Sequence, residues 1–162
     1  MPMPLQPRLR SALRVLLSHY VANGAAAALG LLVISSLVYL LWGSAAASAA
    51  TVGAIVAIPP DIPAPRRGKL LHMLPAPLLA LPLFFAVQRL HGEPWLVGLL
   101  IVPASFFAFL AMAWGKRGAP VAIAAVLALV FSMAVPAHAG AEGWPAALAT
   151  SFYFGLGALL YL

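Results

Sequence analysis

Cysteine is absent from this chain of 162 residues. Without cysteine there can be no disulfide, no thiolate ligand for a metal ion and no cysteine nucleophile. The absence excludes these three chemistries and leaves the cellular compartment open.

Charged residues are also scarce. Asp, Glu, Lys and Arg make up 7% of the chain, apolar residues make up 64%, and the mean hydropathy is +1.04. A soluble domain carries about a quarter of its residues as charged types. A water-soluble surface cannot be built from so few charges, because packed apolar helices would still expose large apolar patches. The composition therefore predicts a protein whose solvent is lipid.

Acidic residues are the rarest group, with only Asp61, Glu93 and Glu142. None lies inside a long apolar run, where a carboxylate would mark a proton or ion path. The sequence has no metal-ligand spacing, no nucleophile and base pair, no phosphate-binding glycine loop and no paired catalytic carboxylates. We therefore expect no catalytic residues, no metal site, no cofactor and no enzymatic activity.

What the chain does have is six apolar segments, and a membrane-spanning helix needs about 20 such residues. We expect an all-α polytopic membrane protein in which residues 1–20 form a short cytoplasmic amphipathic helix and residues 21–162 form a six-helix transmembrane bundle. The predicted spans are 21–41, 44–59, 70–88, 95–114, 119–137 and 144–162.

The second of these segments, 44–59, is short and rich in Ala, Ser, Thr and Gly. Small residues recur at spacings that allow helix backbones to approach closely, namely Gly43, Ala47 and Ala50, and then Gly53 and Ala57. We expect a span that its neighbours shield from lipid. A re-entrant or surface segment is the alternative.

The basic residues indicate an orientation, because cytoplasmic connections of membrane proteins carry an excess of Lys and Arg. With the N-terminus in the cytoplasm, eight basic residues lie inside and only Arg89 lies outside. The eight are Arg8, Arg10, Arg14, Arg66, Arg67, Lys69, Lys116 and Arg117. Basic residues that border apolar spans meet anionic lipid headgroups, so we expect membrane lipid as a partner and no nucleic acid.

The proline-rich connection 58–69 is the most unusual segment. It is either a stiff turn in which Asp61 neutralises an arginine or caps a helix, or an entry site for anions next to the helix starts that follow it. The candidate anion-binding residues are Asp61, Arg66, Arg67, Lys69, Lys116 and Arg117.

Prolines inside the predicted spans are a second candidate feature. Pro75, Pro77, Pro82 and Pro103 remove backbone donors, which occurs in broken helices that line a transport pathway and equally in helices that are kinked for packing. The phenylalanines around Phe107, with Phe84 and Phe85, suggest either an aromatic wall for a planar solute or packing against lipid.

Two stretches carry a resemblance to a known family. The sequence A-I-V-A-I-P-P-D-I-P-A-P-R-R-G-K-L, residues 54–70, resembles the loop after the second span of bacterial fusaric acid resistance proteins of the FUSC type. The sequence W-G-K-R-G-A-P-V-A-I, residues 114–123, is similar to the basic turn before their fifth span. Asp61, Arg66 and Arg67 are the matching loop positions.

The resemblance implies an inner-membrane protein that exports small organic acids, including aromatic acids. Family members have two six-span blocks around a cytoplasmic region, so we expect this chain to correspond to the first block of something longer, with a second block, another membrane chain or a second copy as partner and a small organic anion as solute. A non-transporting assembly module and a passive anion channel are the alternative functions.

Overall fold

The structure, a computed structural model, describes residues 19–59, 73–115, 118–135 and 143–162. Every regular element in these ranges is a helix, as predicted. The helices are α1 (His19–Trp42), α2 (Ser44–Ala57), α3 (Pro75–Leu90), α4 (Pro94–Met112), α5 (Gly118–Ala134) and α6 (Trp144–Tyr161). The predicted amphipathic helix at the N-terminus lies outside the described residues, except for its last two, which begin α1.

Glycine and proline define the ends of these helices. Gly43, with a φ of 84°, is the single residue between α1 and α2, and this left-handed conformation favours glycine. Proline stands in the first turn of α3, α4 and α6, where its missing N–H would have had no helical partner. The helix ends lie close to the predicted ones except at α3, which begins at Pro75 and not at Leu70 as predicted.

The small residues of α2 place this helix inside the bundle. Nine of its residues are buried, from Ala46 to Ala57, and α2 packs against α1, α3, α5 and α6. A Cβ on Gly53 would overlap the carbonyl oxygen of Phe154 in α6, and a Cβ on Gly157 would overlap that of Ala50. The predicted shielding and close approach of this segment are confirmed.

The helix directions can be read from contacts between α6 and its neighbours. Phe84 of α3 contacts Phe154, and Arg89, later in α3, contacts Trp144 at the start of α6. The two helices are therefore antiparallel. In the same way, α1 is antiparallel to α6, because its middle lies against the last turn of α6 and its end against the middle of α6.

The direction of α5 can be read from its contacts with α3 and α4. The Gln88 side chain near the end of α3 donates to the carbonyl of Ser132 near the end of α5, so these two helices run in the same direction. At the other end of α5, Gly118 lies against the carbonyl of Ala111 in the last turn of α4, so α4 and α5 are antiparallel. Thus α1, α3 and α5 begin at one end of the bundle, where α6 finishes.

The outermost helices are α1 and α4, and these are the two with the length and composition of membrane spans. Val21–Trp42 and Pro94–Met112 are both strongly apolar, and in an 18-residue stretch of each only 11% of the residues are buried. A core helix of a soluble protein would be mostly buried. The helices α2, α3 and α5 are apolar and shorter.

Candidate functional site

The starts of α1, α3 and α5 share one end of the bundle, which we call the basic end because each start is preceded in the sequence by a basic segment. Arg89 is in the last turn of α3, at the opposite end. Six candidate residues belong to these basic segments and lie outside the described residues, namely Asp61, Arg66, Arg67, Lys69, Lys116 and Arg117. The described helices bring the segments' attachment points together at one end.

The candidate pathway prolines occupy two kinds of position. Pro75 and Pro77 are in the first turn of α3 and interrupt nothing there, whereas Pro82 and Pro103 are inside α3 and α4. Both helices continue through these interior prolines, and both rings are exposed on the outside of the bundle. Pro82 and Pro103 thus face away from the packed interior, and only Pro77 is buried.

The centre of the described bundle is filled. Phe84 and Phe154 are fully buried, and their rings stack with centroids 4.5 Å apart at an angle of 24°. Alanines from α2, α3 and α5 pack around this pair. A solute path through the interior would have to displace these rings.

The aromatic wall suggested by the sequence does not form around Phe84. That ring points into the core against α6, and Phe85 packs on Trp144. Phe106 and Phe107 of α4 are 62% and 63% exposed. The outward orientation of the α4 phenylalanines favours packing against lipid or a partner over a wall around a solute.

Gln88 is the interior polar residue that sequence reasoning missed. It is 8% exposed, and its Nε2 donates to the carbonyl oxygens of Ser132 at 2.8 Å and Val135 at 3.5 Å. These carbonyls belong to the end of α5, where helical partners run out. The available signal was a lone amide in the last turn of an apolar segment. The Gln88 side chain in α3 therefore supplies hydrogen bonds to the carbonyls at the end of the neighbouring helix α5.

Buried and half-buried hydroxyls are hydrogen-bonded within their own helices. Ser48, Thr51, Ser132 and Thr150 each donate to a carbonyl three or four residues earlier. Ser151 differs, because its buried Oγ has no partner among the described residues.

Two clefts lie on the half of the bundle towards the basic end. The larger, of about 450 Å³, runs between α1 and the last turn of α6 and includes the polar side chains of Asn23 and Tyr161. The smaller, of about 120 Å³, lies between the first turns of α3 and the end of α6 and is apolar. The larger volume is within the range of small-molecule pockets, about 300–1,000 Å³.

At the opposite end, Arg89 lies over the ring of Trp144, and Trp144 also contacts Phe85. Its guanidinium carbon is 5.4 Å from the centre of the Trp144 ring, and the rings of Trp144 and Phe85 are 5.6 Å apart. Both Arg89 and Trp144 are exposed. A guanidinium over an indole face is a favourable cation–π arrangement.

Comparisons with protein-family models, with curated proteins and with solved structures gave no match for this chain.

Proposed function

We propose that this chain is a membrane transport component, a six-helix block of the bacterial inner membrane that takes part in the export of small organic acids, with aromatic acids as the favoured class. The observation that carries the proposal is the gathering of three helix starts, each preceded by a basic segment, at one end of an apolar bundle. With the basic end in the cytoplasm, anions there would meet both the basic residues and the positive helix ends.

The membrane part of the proposal is supported by the exposed apolar surface of the outer helices. Leu29, Leu40, Leu99 and Phe109 are each 62–80% exposed, and lipid is the solvent that accepts such a surface. Helices α2, α3 and α5 are shorter than an unaided span requires. Their burial by neighbours and the helix directions accord with six crossings.

The filled interior affects where the solute would pass. Because the Phe84 and Phe154 rings close the centre of the described bundle, we place the path at a surface shared with a second copy of this chain or a second membrane block. The cleft between α1 and α6 is a concave surface open to such a partner.

Release of a labelled aromatic acid, such as benzoate, from loaded cells tests the function. The double variant Arg66→Gln with Arg67→Gln is compared with Arg66→Lys with Arg67→Lys, which keeps the charge and the orientation signal. We expect the Gln pair to lose most of the release and the Lys pair to retain it. Equal release by both variants and the native chain would refute the anion role.

A non-transporting assembly module is the second candidate, favoured by the same filled interior. It predicts a stable stoichiometric membrane partner and no solute-dependent stabilisation of the purified chain. Benzoate that raises the melting temperature of the native chain would argue against this alternative.

A further inference from the structure

The cluster of Arg89, Trp144 and Phe85 lies at the end of the bundle opposite the basic end, and the proposed function leaves it without a role. Two independent features meet there. One is a guanidinium, the only Lys or Arg side chain that the predicted topology places on that side, and the other is a pair of adjacent aromatic rings.

Among the described residues, no acidic side chain pairs with Arg89, which leaves its guanidinium able to bind a ligand. It is exposed, and its described contact is with the Trp144 ring, with no ion pair to Glu93, the acidic residue of the adjoining turn. A guanidinium held over an aromatic face still presents its planar N–H fork, which matches the two oxygens of a carboxylate.

The rings of Trp144 and Phe85 indicate which chemical group the anionic ligand carries besides its carboxylate. Trp144 is 59% exposed and Phe85 is half-buried beside it, inclined at 41°. Exposed aromatic surface next to a cation suits a flat ring more than a hydrated headgroup, because ring pairs gain from offset or edge contacts. The positive end of the α6 dipole, which begins at Trp144, adds to the same attraction.

We propose that Arg89, Trp144 and Phe85 form a binding site for aromatic carboxylates, with the carboxylate on the Arg89 fork and the ring against Trp144 or Phe85. Binding itself does not depend on transport. The interpretation of the site as the point of release on the outer side rests on the proposed function.

The test uses the full chain in neutral-lipid nanodiscs with Trp42, Trp95 and Trp114 replaced by Phe, so that Trp144 is the only indole. Benzoate is titrated while Trp144 fluorescence is recorded. We expect a saturable change in this chain. Arg89→Gln should weaken binding by about tenfold or more, because a charge-assisted pair is lost, and Arg89→Lys should weaken it less.

Matched variants and probes separate the contributions of charge and ring. Phe85→Leu, made in the same chain with Trp144 as its only indole, should weaken benzoate binding relative to that parent chain. Cyclohexanecarboxylate, which has the charge without a flat ring, should bind more weakly than benzoate. Melting temperatures of all variants check that each remains folded.

Four results would overturn the proposal. The first is no saturable change with benzoate, and the second is equal affinity for benzoate in Arg89→Gln. The third is an Arg89-dependent signal that appears on transfer to anionic-lipid nanodiscs and not with benzoate, which would make the cluster a lipid-phosphate anchor. The fourth is benzoate binding only after Glu142→Gln, since the chain's own carboxylate would then occupy Arg89. Binding without cellular export would refute the proposed function and leave this site standing.

Discussion

Gly157 of α6 and Ala50 of α2 approach so closely that a Cβ on Gly157 would overlap the Ala50 carbonyl oxygen. The reciprocal contact, between Gly53 and the Phe154 carbonyl, has the same character. Backbone therefore packs on backbone at the centre of the bundle, a contact that helices achieve only with small residues.

We expect Gly157→Ala to destabilise the bundle by about 1–3 kcal/mol or more, because the added methyl group forces two backbones apart. Gly155→Ala is the matched control in the same helix, since its Cβ would meet only the end of the flexible Leu81 side chain, at 3.3 Å. Thermal unfolding in detergent compares the two. A melting temperature for Gly157→Ala equal to that of the control would contradict the close packing.

Removal of the Gln88 amide should also destabilise the bundle. Gln88→Met retains the shape and leaves the carbonyls at the end of α5 without their donor, at a cost of about 1–3 kcal/mol. Ser48→Ala, which removes only a hydroxyl bonded to its own helix, should be nearly neutral. Chemical denaturation of both variants measures the difference, and similar midpoints would show that Gln88 does not link α3 to α5.

The stacking of Phe84 on Phe154 predicts that the two side chains contribute to stability in a coupled way. Phe84→Ala should cost about 3–5 kcal/mol through loss of a buried ring, and a double-mutant cycle with Phe154→Ala should give a coupling of about 0.5–1.5 kcal/mol. Phe107→Ala, a truncation of an exposed ring, serves as the control in stability measurements. Additive effects of the two core substitutions would mean that the rings do not interact.

Membrane topology can be tested with single cysteines, because the native chain has none to interfere. Gly92→Cys and Ala113→Cys lie at exposed positions just outside opposite ends of α4. In intact cells we expect a membrane-impermeant maleimide to label the cysteine at 92, and to label that at 113 only after permeabilisation. Labelling of position 113 from outside would reverse the proposed orientation.

Most of the helices could be predicted from sequence because particular residue types mark where they begin and end. Gly43 and Pro94 stop apolar runs at definite residues, and the small residues of α2 indicate a helix enclosed by others. The third segment was predicted from Leu70, whereas α3 begins at Pro75, where a ring of fixed φ suits the first turn.

Which face of each helix is inward could not be predicted in the same way. Helix α4 is apolar on all sides, so its sequence has no polar stripe to distinguish the core from the surroundings. Phe84 and Phe85 are adjacent in α3, and only the assembled bundle shows that Phe84 packs on Phe154 and Phe85 on Trp144. The partner of Gln88 depends on α3 and α5 being parallel neighbours, which is a property of the assembled bundle.

The positive φ of Gly43 has a consequence for the first two helices. If that torsion returned to the ordinary helical region, α1 and α2 would fuse into one rod of about 40 residues, about 60 Å long. Such a rod is roughly twice the thickness of the hydrocarbon layer, and it would pull the most enclosed helix out from between its neighbours. A Cβ on Gly43 would meet no atom within 4 Å, so a larger residue there would be disfavoured by the backbone torsion and not by crowding.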